Sequence, residues 1–197
     1  VDVLSQAGYQ VTGIDSSIEM IRWARLRNQG RFYHLSFTEI DQLNDTFECA
    51  YCIGNSLSYL SREAMPSFLK DLNQHLQVGG HFVLQVVNWD QFRRTGSMDF
   101  AVKKLDDGRT FHRRYQKMDA STVMFHTEIR QQGQIQASWS DALTPLYQQD
   151  MVAKLKSAGF HVIGQYGNYQ KEPFLPANSP AIILVAQNVN DPAQRKK

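Results

Sequence analysis

The chain has 197 residues, 42% hydrophobic and 20% charged, which is enough to bury one good core. A net charge of +2 gives no argument for nucleic acid. No apolar run reaches the roughly 20 residues of a membrane span, and the start Val1-Asp2-Val3-Leu4-Ser5-Gln6 lacks the basic region of a signal peptide, so a cytoplasmic protein is expected.

Residues 2–8 read as the end of a helix closed by Gly8, followed by a strand over 9–15 that finishes in Asp15. Ser16-Ser17-Ile18-Glu19 has capping-box spacing, and Ile18, Ile21 and Ala24 repeat at helical period, so a helix follows the acid at once. Arg31 to Leu35 is a short strand. Phe47 to Ile53 is a nearly continuous apolar strand, as expected where both faces of a parallel sheet are covered. Cys49 and Cys52 fall in it on opposite faces and are expected to be buried structural thiols, with no second pair to complete a zinc site. Two free thiols suit a reducing compartment.

Met65, Phe68, Leu69, Leu72 and Leu76 mark the clearest helix, which Gly79-Gly80 stops, and His81 to Val87 is again a strand. This rhythm implies a parallel sheet with right-handed crossovers. From residue 91 it changes. Residues 110–117, 122–130 and 134–139 alternate in polarity and read as an antiparallel insertion of two or three strands, with turns at Asp119 and Gly133. A helix over about 148–158, a strand over 160–166, a Pro- and Asn-rich loop and a last strand from Ala181 to Gln187 follow. The domain reading is a core of residues 1–90 and 145–187, an insertion or lid over 91–144, and a disordered tail over 188–197.

Two places carry candidate chemistry. A carboxylate such as Asp15 at the end of an early strand is how many nucleotide-binding α/β folds hold ribose hydroxyls. The glycine-rich turn expected roughly 20 residues before such an acid is not in the chain, so the sequence is expected to begin inside a cofactor-binding domain whose first strand and loop are missing. The second place is Cys52-Ile53-Gly54-Asn55-Ser56, directly after a strand. There Gly54 would let a ligand approach the backbone and Asn55 offers both a donor and an acceptor. The same tripeptide also reads as a plain turn and cap. His112 and His126 would face each other if the hairpin pairs them, without a carboxylate cluster to make a metal site.

Taken together, these stretches resemble class I S-adenosylmethionine-dependent methyltransferases. Gly8-Tyr9-Gln10-Val11-Thr12-Gly13-Ile14-Asp15-Ser16-Ser17-Ile18-Glu19-Met20 is similar to that family's second motif. Leu76-Gln77-Val78-Gly79-Gly80-His81-Phe82-Val83-Leu84 is similar to the approach to its fifth strand. Ile53-Gly54-Asn55-Ser56 with Asn88-Trp89-Asp90 looks most like glycine and sarcosine N-methyltransferases. The resemblance implies a doubly wound, Rossmann-like sheet, mostly parallel with its last strand antiparallel, and S-adenosylmethionine as cofactor. By it, Asp15 would hold the ribose, with Ser16 and Met20 beside ribose and adenine. Ser36 and Phe37 would meet the adenine, and Ile53 and Gly54 the methionyl end. Asn55 and Asn88 would face the methyl acceptor. Val87 stands where glycine-specific members carry an arginine, which argues against glycine as acceptor.

From the residues themselves, Arg113 or Arg114, flanked by Tyr115, can be read as recognising an anionic acceptor or as part of a solvated hairpin face. Tyr166 can line the acceptor pocket or pack, and Trp89 can stack on substrate or close the core. The function expected is methyl transfer to a small-molecule acceptor, as an N-methylation, with no catalytic triad and no metal. Alternatives are a non-catalytic methyltransferase-like binding domain and an NAD-dependent dehydrogenase. A membrane or nucleic-acid partner is not expected; a homodimer is compatible.

Overall fold

The computed structural model describes residues 2–190 and divides the chain into a unit up to Asp45 and a unit from Thr46. In the first unit, α1 (Asp2–Gln6) runs into a turn at Gly8, where a φ of 88° favours glycine. Strand β1 (Thr12–Asp15) is joined through α2 (Ile18–Arg27) to β2 (Arg31–His34), its parallel partner. β1 is shorter than the strand expected over 9–15. Its partner begins only at Arg31, so among the described residues no strand pairs with Tyr9 and Gln10, and Tyr9 is left exposed. A 3₁₀ turn over Phe37–Gln42 follows.

The second unit opens with β3 (Phe47–Cys52), then a 3₁₀ turn at Ser56–Tyr59, α3 (Met65–His75) and β4 (Leu76–Val87). After α4 (Trp89–Thr95) come β5 (Ser97–Asp99), β6 (Lys103–Lys104), β7 (Thr110–Lys117), β8 (Val123–Gln131) and β9 (Gln134–Leu143). The chain closes with α5 (Gln148–Ser157), β10 (Phe160–Tyr166) and β11 (Ala181–Asn188). The sheet order is β10-β11-β4-β3: β3 is parallel to β4, and β11 is antiparallel to both of its neighbours. The mostly parallel sheet with an antiparallel last strand is therefore as expected.

The core follows the strand period. Phe82, Leu84 and Val86 of β4 are buried, while Val83, Gln85 and Val87 on the opposite face are only half-buried. Leu69 of α3, Leu155 of α5 and Phe160 are buried as well, with the Phe82 and Phe160 rings 6.1 Å apart.

Several expectations need correction. Gly79-Gly80 does not end the helix before the strand: α3 stops at His75, and β4 already includes both glycines. Gly80 lies where a Cβ would come within 3.1 Å of the Glu48 carbonyl, so the close approach of β3 explains the glycine. β3 is the edge of its sheet among the described residues, and its faces are only partly covered: Cys49 is exposed and Cys52 half-buried, not buried structural thiols. Burial still pushes the Cys52 thiol up to about 12.

The insertion holds five strands rather than two or three, ordered β5-β7-β8-β9 with β6 on β7, and it is preceded by the unforeseen α4. The β8–β9 turn has positive φ at Gln132 and Gly133, the conformation of a tight hairpin. His112 sits opposite Glu128 and His126 opposite Arg114, so the two histidines do not meet. Asn188, placed in a disordered tail by the sequence, is a buried strand end whose amide donates to the Leu76 carbonyl at 2.9 Å. Residues 191–197 of that tail lie outside the described residues.

Candidate functional site

In the first unit, Asp15 ends β1 and is half-buried. One carboxylate oxygen accepts the Ser17 N–H at 2.8 Å, and the other has no hydrogen bond that competes with a ligand among the described residues. The helix cap falls on Ser17 rather than Ser16. The Ser17 hydroxyl accepts from the Met20 N–H at 3.3 Å. Ser16 is exposed, with its carbonyl 2.9 Å from His34 Nε2, and Met20 is exposed on the first turn of α2. A capping box does form, but further along. The Ser36 N–H and hydroxyl both donate to the Glu39 carboxylate, at 2.9 and 2.6 Å, and this holds the Glu39 carboxyl below its ordinary range. Ser36 is thus committed locally and does not present its hydroxyl to a ligand. Phe37 beside it is half-buried.

In the second unit the chain leaves β3 through Ile53, which is 42% exposed, and Gly54. Gly54 has a φ of 74° and open space where a Cβ would stand, and its N–H donates to the Gln85 side-chain oxygen at 2.7 Å. Asn55 is also left-handed, at φ 67°, and only 6% exposed. Its side-chain oxygen accepts from the Val87 N–H at 3.2 Å and the Ser58 hydroxyl at 3.1 Å. Its amide donates to the Tyr115 hydroxyl at 3.2 Å. One buried amide therefore ties β4, the 3₁₀ turn and the insertion together. Tyr59, Gln85 and Val87 from the core, and Phe100, Tyr115 and Phe125 from the insertion, enclose with Gly54, Asn55 and Arg113 a cavity of about 210 Å³. Ligands of open α/β sheets bind at such carboxyl ends of strands.

The Tyr115 ring anchors the insertion over this end, 5.1 Å from Trp89 and 4.9 Å from Phe125. Burial pushes its phenol up to about 12. Arg113 stacks over Phe100 and Phe111, at 5.0 and 5.5 Å, and its Nε is buried without a hydrogen-bond partner among the described residues.

Other expected substrate residues are placed elsewhere. Asn88 is fully buried: its amide donates to the Pro176 and Ser179 carbonyls at 3.1 and 2.7 Å, and its oxygen caps α4 at Gln91. Trp89 is also fully buried and donates its indole N–H to Ser58 at 3.2 Å, so it closes the core instead of stacking on a ligand. Tyr166 lies on β10 beside Pro173 and does not line the cavity. The sequence reading passed over Gln85, Tyr59, Phe100 and Phe125. Gln85 alone had a local signal, as the one amide in the otherwise apolar run Phe82–Val87. Among the described residues no cluster of His, Cys, Asp and Glu could hold a metal ion, and no helix is long and apolar enough to cross a membrane.

A family model described as a methyltransferase domain matches residues 1–80. The CcbJ methyltransferase of Streptomyces caelestis is similar in structure with a TM-score of 0.81 and 20% identity, over 95% of this chain and 78% of that one. An S-adenosylmethionine-dependent methyltransferase from Clostridium acetobutylicum gives a TM-score of 0.76 at 16% identity, covering 92% and 76%. An amino pentose methyltransferase from Micromonospora echinaspora, in a structure with S-adenosylmethionine bound, gives 0.70 at 19%, covering 94% and 78%. No curated protein matches the chain in sequence. The fold is that of the class I S-adenosylmethionine-dependent methyltransferases, a Rossmann-like sheet with an antiparallel insertion.

Proposed function

We propose that this protein transfers the methyl group of S-adenosylmethionine to a small-molecule acceptor, as an N-methylation. The observation that carries this reading is the cavity at the carboxyl ends of β3 and β4, walled by Gly54, Asn55 and Gln85 and roofed by Tyr115 and Phe125 of the insertion. The solved structures of like fold include an amino pentose methyltransferase and a sugar N-methyltransferase.

The residues fit the cofactor where they are free to do so. In the first unit, the open carboxylate oxygen of Asp15 would accept from the ribose hydroxyls, with Ser16, Met20 and Phe37 beside the nucleoside. In the second, the uncovered backbone of Ile53 and Gly54 would meet the methionyl end. When bound, the sulfonium supplies an already activated methyl group. The chain is left to orient the acceptor and exclude water, which needs no general base for a neutral amine. Asn55 positions rather than reacts: it holds Tyr115 over the cavity, and Gln85 fixes the Gly54 backbone.

Kinship with glycine and sarcosine N-methyltransferases is part of this proposal only through Ile53-Gly54-Asn55-Ser56, because the Asn88 and Trp89 that supported it are structural here. A small acceptor, rather than nucleic acid, suits a cavity of about 210 Å³. A homodimer would use the half-open Ile135 and Trp139 of β9, and sedimentation would read it. Calorimetry of the full-length gene product with S-adenosylhomocysteine is the direct test. Saturable one-to-one binding is expected, and no heat at millimolar ligand would sink the reading.

A further inference from the structure

Apart from the Tyr59 hydroxyl, which can donate or accept, the cavity's free side-chain polarity is of one kind. Asn55 has its side-chain oxygen occupied by Val87 and Ser58 and its amide directed to Tyr115. Gln85 has its oxygen on the Gly54 N–H, which leaves its amide hydrogens. The Tyr115 oxygen accepts from Asn55, which leaves the phenolic hydrogen to donate. Arg113 is a donor throughout, and no carboxylate lines the cavity. Arg113 makes no ion pair among the described residues, and the flanking Phe100 and Phe111 rings hold its cation without satisfying any N–H.

The insertion's register sharpens this. Arg113 lies opposite Thr127, which lies opposite Trp139, so a cation, a hydroxyl and a half-exposed indole form one row across β7, β8 and β9. In the next row Tyr115, Phe125 and Asp141 are aligned, so Asp141 is the acid that the register puts on this face. Its charge helps to push up the Tyr59 phenol, and it makes no ion pair with Arg113. A face with one unpaired guanidinium and several free donors, closed by aromatic rings, is complementary to an anion with an apolar body.

We propose that the methyl acceptor carries an anionic group, a carboxylate or a phosphate, that pairs with Arg113 while Tyr115 and Gln85 donate to the same molecule. This rests on the methyl-transfer reading and names the acceptor class for it. A neutral polyhydroxy acceptor would leave the guanidinium, whose Nε is buried, without an anionic partner, which is the costlier arrangement.

The probes are 3-phenylpropanoate, benzylphosphonate and the neutral 3-phenylpropanol, titrated by NMR into the full-length protein with S-adenosylhomocysteine present. An anion preference of about tenfold or more over the alcohol is expected, the size of one charge-assisted hydrogen bond. The stronger of the two anions identifies the group. Arg113→Gln should abolish the preference while the alcohol's affinity stays within about twofold. Arg113→Lys, which keeps the charge but loses the fork, should retain part of it. Thermal melts show whether either variant has simply unfolded; if Arg113→Gln has, the Lys variant and the wild-type preference still decide. Equal binding of anion and alcohol by the wild type overturns the proposal, as does a preference that Arg113→Gln leaves intact. If Arg113→Gln instead weakens S-adenosylhomocysteine in parallel with the anions, the guanidinium serves the cofactor and the acceptor assignment fails. Absence of S-adenosylhomocysteine binding in the wild type is a separate result that sinks the methyl-transfer reading itself.

Discussion

At the end of β1, Asp15 takes the N–H of Ser17, two residues on, and Ser17 takes that of Met20, three residues on. At the ends of β3 and β4, Gly54 donates to Gln85 across 31 residues, Asn55 accepts from Val87 across 32, and Asn55 reaches Tyr115 across 60. The first strand end is assembled from one short stretch of chain, and the second from three separate ones. A local site can lose one group and keep its shape. A site closed by a few long-range bonds on one buried amide should lose shape and stability together, because each broken partner stays buried and unsatisfied.

The contrast can be broken from its strongest point downwards. Trp89→Ala removes a fully buried indole that packs on Tyr115 and Phe92 and donates to Ser58. Urea unfolding should show a loss of about 3–5 kcal/mol, and a cost under about 1 kcal/mol would mean the insertion is not anchored there. Asn55→Ala should cost about 2–4 kcal/mol. It strands the Val87 N–H and the Ser58 hydroxyl and leaves a left-handed backbone without the residue type that tolerates it. Asn55→Gly, which relieves the backbone but not the hydrogen bonds, separates the two contributions.

Asp15→Ala is the test at the local end. It should weaken S-adenosylhomocysteine by about 1.5–3 kcal/mol in calorimetry. The melting temperature should barely move, since the helix keeps its Ser17 cap. Unchanged affinity would remove Asp15 from the site.

The smallest effect is one of pH. The Tyr115 phenol is raised from 10.0 to about 12 by burial first, with Tyr59 adding and Asn55 and Arg113 opposing. A raised folded-state value means the neutral phenol is favoured in the fold. That stabilisation is fully present below pH 10 and is lost as pH rises towards 12. Stability of the wild type should therefore fall more steeply over that window than that of Tyr115→Phe, and parallel slopes would show that Tyr115 ionises freely.

Asp15 and the helix after it were legible because a strand end, an acid and a cap follow one another within a few residues. Even there the cap stands one position further on, at Ser17, which accepts the Met20 N–H while Asp15 accepts that of Ser17. Asn55 was legible as a polar residue after a strand, but its role was not, for its partners lie on β4 and β7. Asn88 and Trp89 misled for the same reason: an amide and an indole at a strand end look available until their partners at Pro176, Ser179 and Ser58 are seen.

The sequence by itself determined the order of the core elements, the parallel-then-antiparallel sheet and the acid at the end of β1, though not α4 or the short β5 and β6, because periodicity and capping act over one or two turns of chain. Only the tertiary structure decided which of the polar residues at the strand ends face a cavity and which satisfy the backbone. A buried polar group takes the partner that the fold brings to it, and those partners come from segments that the chain keeps far apart.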